Sequence, residues 1–175
     1  MTGLDQRVIV PIDASHPELG RWLWAMQDTR ARTKVAVAGL TPAELDFTSP
    51  GVANSIGSLL YHIALIEADY LYVDILGIDY PEWLEELFPW PHRDERGHLS
   101  VVTGLSIEAH LARLDRVRDE FVRLVGQLSA DQIATARQPA GYDYEISPAW
   151  TLHHLMQHEA EHRGQITVIR DLQAR

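Results

Sequence analysis

The fold is decided by the stretch Thr151-Leu-His-His-Leu-Met-Gln-His-Glu-Ala-Glu-His-Arg-Gly-Gln-Ile166. Its residue types predict a helix, and they place His154, His158 and His162 four residues apart. Each four-residue step turns a helix by about 40°, so the three imidazoles share one face with apolar residues. Histidines on an apolar face are held inside the protein, where each needs a hydrogen-bond partner, a charged partner or a metal. Two of them at i and i+4 point their ring nitrogens at a common position, as in helical sites for divalent transition metals.

Apolar residues recur at helical spacing in four long segments, and no strand pattern competes with them. The predicted helices cover residues 17–39, 53–76, 106–128 and 149–172. An up-and-down four-helix bundle, forming one all-α domain over residues 1–175, is the economical fold for such a chain. The segment 77–105, between the second and third helices, is irregular and rich in proline. Long connections of this kind often form a lid or a pocket wall.

A weak internal repeat supports this architecture. The capping boxes Leu40-Thr-Pro-Ala-Glu-Leu45 and Leu128-Ser-Ala-Asp-Gln-Ile133 follow the first and third helices. In the helices that come next, Leu59-x-x-His62 matches Leu155-x-x-His158. We therefore hypothesise that one helical hairpin is used twice, with the two histidines in related positions.

Composition and charge exclude several classes of function. The formal net charge of −10 disfavours nucleic acid as a partner, because phosphate binding needs a concentrated basic surface. The arginines of segment 113–123 alternate with acidic residues, which predicts a solvated helix face. The absence of cysteine excludes disulfides, thiolate ligands and cysteine nucleophiles. No segment is apolar enough to span a membrane and no signal peptide is evident, so we expect a cytoplasmic protein without a membrane partner.

The second helix carries His62 in the middle of its apolar face. Alone, such a histidine is usually a hydrogen-bonded core residue, but the facing pair on the fourth helix changes this interpretation. We predict that His62, His158 and His162 form an open three-nitrogen metal site. Zn²⁺ and Ni²⁺ suit these ligands best, and Fe²⁺ or Mn²⁺ stays open. His154 lies one turn further away and is expected to help form the pocket.

The other histidines have a simpler interpretation. His153 points away from this face, and His92, His98 and His110 lie in or near the irregular segment, so all four are predicted at the surface. The alternative that every histidine is an ordinary core residue also stays open.

Residues 158–162 also fit H-E-x-x-H, in which zinc peptidases use the glutamate as general base. Those enzymes take a third ligand from further along the chain. No histidine or glutamate follows His162, which weakens the peptidase interpretation.

The block Trp150 to Ile166, with H-x-x-x-H-R-G-Q-I at its end, together with Ser58-Leu-Leu-Tyr-His62, resembles the DinB-like superfamily of damage-inducible metalloenzymes. The resemblance covers nearly the whole chain. It implies a four-helix bundle with a three-histidine Zn or Ni site, often in a homodimer, and His62, His158 and His162 match the ligand positions. Glu161 departs from the pattern, since many relatives have another histidine there. Some branches resemble isomerases and S-transferases that depend on mycothiol, bacillithiol or glutathione.

The leading functional hypothesis is therefore a metal-dependent enzyme acting on a small molecule, with a low-molecular-weight thiol as co-substrate in S-transferase chemistry. A metal-dependent hydrolase is the second hypothesis, and a non-catalytic metal- or ligand-binding stress protein is the third. Arg30 and Tyr70 are candidate substrate-binding residues, and Glu159 and Glu161 are candidates for the pocket or for proton transfer. Arg30 is alternatively a snorkelling surface arginine. No catalytic residue is assigned.

Overall fold

The computed structural model describes residues 7–174, and the regular structure within them is helical. Its elements are α1 (Pro17–Val37), α2 (Pro42–Leu45), α3 (Ile56–Asp69), a π-helix (Tyr70–Leu76), α4 (Glu82–Leu87), α5 (Ile107–Val125), α6 (Ala130–Ala134) and α7 (Pro148–Gln173). The all-α prediction is confirmed, and the four predicted helices correspond to α1, α3 with the π-helix, α5 and α7. Their up-and-down arrangement stays a prediction. None of the described helices combines the length and apolarity that crossing a membrane requires.

Side-chain caps set the start of each long helix. Ser55, Ser106 and Ser147 each accept a hydrogen bond from the backbone N–H three residues later, which satisfies a donor that the helix leaves unpaired. His16 caps α1 in the same way through its imidazole. These caps explain why the predicted helix starts lie within three residues of the observed ones.

The two predicted capping boxes are present in the short helices α2 and α6. Thr41 with Glu44, and Ser129 with Gln132, exchange side-chain and backbone hydrogen bonds. Each half of the chain thus contains a long helix, a short capped helix and a second long helix. This order agrees with the predicted internal repeat.

The second predicted helix contains a change that its sequence pattern does not reveal. Its last seven residues, Tyr70–Leu76, form a π-helix instead of continuing α3. The segment ends at Gly77, whose φ of 65° is a left-handed conformation that glycine adopts without a steric penalty. Since π-helical turns are rare and frequently lie at functional sites, this segment draws attention to the surface around Tyr70.

The core holds the two helices that carry the predicted ligands side by side. Helix α1 packs on α7, α3 packs on α5, and α3 and α7 also contact each other. Fully buried residues from all four long helices fill the space between them, among them Leu23, Leu59, Phe121 and Ile166. Burying side chains of this size contributes roughly 1.5–3 kcal/mol each, so apolar packing fixes α3 against α7.

A buried ion network also joins the four long helices, and each helix contributes one charge. Arg30 comes from α1, Glu67 from α3, Arg118 from α5 and Glu159 from α7. Arg30 lies 2.6 Å from Glu67 and 2.8 Å from Glu159, while Arg118 lies 2.5 and 3.2 Å from the same two carboxylates. All four side chains are at most 3% exposed. We call this group the ion quartet.

The ion quartet corrects two sequence predictions. Arg30 is buried, so the snorkelling interpretation is wrong. The solvated face predicted for segment 113–123 is wrong for Arg118 and for the largely buried Arg113. A helix face with alternating charges looks solvated in sequence, and only the opposite charges on neighbouring helices show which of its arginines are buried.

Candidate metal centre

The three predicted ligands meet at one point. His62 lies in the middle of α3, and His158 and His162 lie one turn apart on α7. The Nε2 atom of His158 is 3.2 Å from Nε2 of His62 and 3.0 Å from Nε2 of His162. The candidate ligand atoms of the three residues all lie within 4.8 Å of one another. We call these residues the histidine cluster.

The spacing of the cluster fits a single small cation. With Zn–N bonds of about 2.0–2.1 Å, two nitrogens on one tetrahedral ion lie about 3.3 Å apart. The observed separations of 3.2 and 3.0 Å are close to that value. Three imidazoles leave further coordination positions of such an ion free for another ligand.

The electrostatic environment keeps two of these imidazoles neutral. Burial, followed by the neighbouring histidines, lowers the pKa of His62 to about 3. The same causes lower the pKa of His158 to about 3. A neutral imidazole has a lone pair available for a cation, so these two rings are ready to act as ligands at neutral pH.

The outer nitrogens show how the rings are oriented. Nδ1 of His162 donates a hydrogen bond to Oε1 of Gln165 at 2.9 Å, which leaves the lone pair on Nε2 facing the cluster. Nδ1 of His62 is buried and has no hydrogen-bond partner. Sequence analysis missed Gln165, although its i+3 spacing from His162 was a usable signal.

His92 lies next to the histidine cluster, and sequence analysis did not identify it as a neighbour of the site. Its ring is exposed, as predicted, yet it stacks on His62 with a centroid distance of 5.6 Å and an interplanar angle of 13°. Burial and the nearby Arg93 lower its pKa. The ring comes from the irregular segment 77–105, whose path no helical periodicity encodes.

The remaining histidines divide between the surface and the core. His98 and His153 are exposed, as predicted. His110 is only 1% exposed, so its predicted surface position is wrong. It shares the buried stripe of α5 with Leu114 and Phe121, and this spacing was a signal for burial.

His154 and Tyr70 form a second layer beside the histidine cluster. The ring of His154 lies 6.0 Å from that of His158, stacks on Trp150 at 4.8 Å and lies 5.1 Å from Tyr70. Burial lowers the pKa of His154. Tyr70 lines a cavity. The pocket role predicted for His154 and the substrate-binding role predicted for Tyr70 stay predictions.

Arg30, Glu159 and Glu161 are not members of the histidine cluster. Arg30 uses Nε, Nη1 and Nη2 to bind Glu159, the carbonyl oxygen of Leu114 and Glu67. A substrate anion would have to replace one of these internal partners. Glu159 is enclosed in the ion quartet, and Glu161 is exposed near Gln165.

Two cavities flank the cluster. A cavity of about 480 Å³ includes His92, and we call it the His92 cavity. Most of its wall comes from segment 77–105, in agreement with the prediction of a pocket wall there. The cavity is lined by Leu65, Ile66, Asp69, Tyr80, Leu84, Glu85, Phe88, Pro89, Trp90, Pro91, His92 and Tyr142. A second cavity of about 500 Å³ contains Tyr70, Tyr144 and Trp150, and we call it the Trp150 cavity.

The DinB superfamily model matches residues 25–166, a range that includes all three members of the histidine cluster. The chain belongs to the DinB superfamily. The same fold occurs in a solved structure: a conserved protein from Enterococcus faecalis superimposes with a TM-score of 0.65, covering 86% of this chain and 94% of that one. At 17% identity this similarity shows the fold alone. A search of curated proteins finds no match.

Proposed function

We propose that this DinB-superfamily chain is a divalent-metal-dependent enzyme that acts on a small molecule by thiol-dependent S-transferase chemistry. One observation carries the proposal, namely the convergence of three imidazole nitrogens from α3 and α7 on a single point. His62, His158 and His162 would hold Zn²⁺ or Ni²⁺. The family resemblance and the absence of cysteine both support a thiol supplied from solution.

The charge of the donor set favours an anionic additional ligand. Three neutral imidazoles do not reduce the double positive charge of a divalent ion. When held by His62, His158 and His162, such an ion would lower the pKa of a thiol and favour the thiolate. In S-transfer the thiolate sulfur would form a bond to an electrophilic carbon of the substrate, the bond from that carbon to the leaving group would break with its electron pair, and the thiol proton would pass to water.

The ion quartet argues against the peptidase interpretation. Glu159 occupies the position of the general base in H-E-x-x-H. Its carboxylate is 2% exposed and bound to Arg30 and Arg118, so it faces the core rather than a substrate. A hydrolase that uses a metal-activated water without this glutamate is the second candidate, because the cluster leaves coordination positions free.

Elemental analysis of the purified protein tests the metal site. We expect about one equivalent of Zn or Ni in the wild type and loss of the metal in His62→Ala and His158→Ala. His98→Ala is the matched control, since His98 is exposed and lies outside the cluster, and it should retain the metal. Absence of metal from the wild type, even after reconstitution, would contradict the proposal.

Activity assays separate the candidate functions. Turnover of an electrophile that requires a low-molecular-weight thiol would support the S-transferase. Hydrolysis of model esters or amides without thiol would support the hydrolase. If His158→Ala loses the metal and no activity is found in either protein, a non-catalytic binding protein is the better interpretation. The homodimer implied by the family resemblance also remains a proposal, and light scattering tests it.

A further inference from the structure

The exposed aromatic residues of the protein gather beside the histidine cluster. Among the described residues, the large hydrophobic side chains with the greatest exposure include five aromatic ones, which are 37–48% exposed. These are Tyr80, Trp90, Tyr142, Tyr144 and Trp150. The first three line the His92 cavity and the other two line the Trp150 cavity. A contiguous patch of exposed apolar residues often marks a binding site, whereas scattered single residues do not.

The wall of the His92 cavity also carries negative charge, and Arg93, which lies near His92, is not part of that wall. Asp69 and Glu85 line the cavity, while no lysine or arginine of the described chain does. Neither carboxylate takes part in an ion pair within residues 7–174. Asp69 accepts a hydrogen bond from the hydroxyl of Tyr80, which is a neutral partner.

The carboxylates near the cavity also raise the pKa values of neighbouring tyrosines. Burial, followed by the carboxylates Asp74 and Asp69, raises the pKa of Tyr70. Burial and the hydrogen bond to Asp69 raise the pKa of Tyr80. These phenols stay protonated. Aromatic rings with negative faces and the two carboxylates Asp69 and Glu85 line the His92 cavity, while Tyr70 lines the Trp150 cavity.

We propose that the His92 cavity binds a positively charged organic group, an ammonium, on the small molecule that is processed at the histidine cluster. Cations bind over the faces of aromatic rings and next to carboxylates, whereas an anionic group would be repelled. His92 connects the cavity with the cluster, because its ring lines the cavity and stacks on His62. The identification of this ammonium as part of the substrate rests on the proposed function, whereas its binding can be measured independently.

Calorimetry on the full metal-loaded chain tests the binding. The probe is benzyltrimethylammonium, whose nitrogen has no lone pair and cannot ligate the metal, and the comparison is the uncharged 2-phenylethanol. We expect the cation to bind about tenfold more tightly than the alcohol, as a few aromatic and carboxylate contacts would give. Equal affinities for the two compounds would overturn the proposal.

Two variants locate the effect. Asp69→Asn removes the charge but keeps an acceptor for Tyr80, and it should weaken binding of the cation about tenfold while leaving that of the alcohol unchanged. The control Asp119→Asn removes an exposed charge on α5, away from the cavity, and should change neither affinity. Trp90→Leu keeps an apolar wall and should also reduce the preference for the cation. Equal losses in Asp69→Asn and Asp119→Asn would refute the location.

Metal content and thiol-transfer activity, measured on the same samples, separate this inference from the proposed function. If the cation binds as expected in protein that holds no metal or shows no thiol transfer, the binding site stands and the proposed function fails. If the protein holds the metal and transfers thiols but does not prefer the cation, the cavity assignment alone fails.

Discussion

His110 is a buried titratable residue whose two ring nitrogens have no hydrogen-bond partner. Helix α3 passes so close that a methyl group on Gly57 would lie 3.2 Å from Nε2. Burial, followed by the nearby Arg113, lowers the pKa of His110 from 6.5 to about 4. The folded protein therefore disfavours protonation of this ring, while the unfolded chain accepts a proton at its ordinary pKa.

The pKa of His110 predicts a pH-dependent stability. Above pH 6.5 the ring is neutral in both states and has no effect. Between pH 6.5 and about 4 the unfolded chain binds the extra proton, so the free energy of unfolding falls as the pH falls, by up to about 2 kcal/mol at pH 5. We expect His110→Leu to lose this part of the dependence, as measured by urea unfolding at pH 5 and pH 8.

The exposed His98 supplies the control for this experiment. His98→Leu should keep the wild-type difference between pH 5 and pH 8, because its ring is 68% exposed. If His110→Leu shows the same pH dependence as the wild type, the lowered pKa is refuted.

At the scale of residues, the sequence identified the members of the histidine cluster better than it identified their neighbours. His158 and His162 are visible because a single helix sets their spacing, and His62 stands out on an apolar face. The stacking of His92 depends on how an irregular segment folds over α3, and local spacing contains no information about that. The partners of Arg30 could not be identified for a similar reason, since they come from three other helices.

Two helical glycines illustrate how packing decides the effect of one change. A Cβ on Gly20 would overlap the carbonyl oxygen of Ile12, which belongs to the segment that lies along α1. A Cβ on Gly164 in α7 would meet nothing within 4 Å. Substitution by alanine therefore tests close packing in the first case and helix propensity in the second.

We expect Gly20→Ala to lower the free energy of unfolding by about 1–3 kcal/mol, because backbone atoms must move. Gly164→Ala should raise it by roughly 0.5–1 kcal/mol, because alanine favours the helix more than glycine does. Urea unfolding of both variants beside the wild type measures the difference. Equal effects in the two variants would contradict this account of Gly20.

Elements were predictable where local signals define them. Serine caps and apolar stripes placed the long helices within a few residues, and the two capping boxes identified α2 and α6. The π-helix Tyr70–Leu76 was not predictable, because its sequence continues the apolar stripe of α3. Whether a helix widens there depends on what packs around it, such as the side chain of Arg137, which donates to the carbonyl oxygen of Asp74.

For the molecule as a whole, the ion quartet makes stability sensitive to single charges. In Glu67→Gln, Arg30 and Arg118 would share only Glu159 as a buried counter-charge. Leaving an unbalanced buried charge costs about 3–5 kcal/mol. We expect a thermal midpoint lower by roughly 6–20 °C in differential scanning calorimetry.

The surface pair of Asp28 and Arg32 is the control for Glu67→Gln. These two side chains lie 2.7 Å apart, and Arg32 is 65% exposed and Asp28 37% exposed, so Asp28→Asn should change the free energy of unfolding by less than about 0.5 kcal/mol. If Glu67→Gln lowered the free energy of unfolding by equally little, this would show that water enters the ion quartet.

The ion quartet also has a consequence for how this protein can evolve. If the four residues of the ion quartet are replaced one at a time, the intermediate proteins contain a buried charge without a counter-charge, and such proteins fold poorly. Descendants should therefore retain all four charges or exchange them as a set, and intermediate combinations should be rare. Positions 30, 67, 118 and 159 are thus expected to covary among related sequences even where the surrounding core residues drift independently.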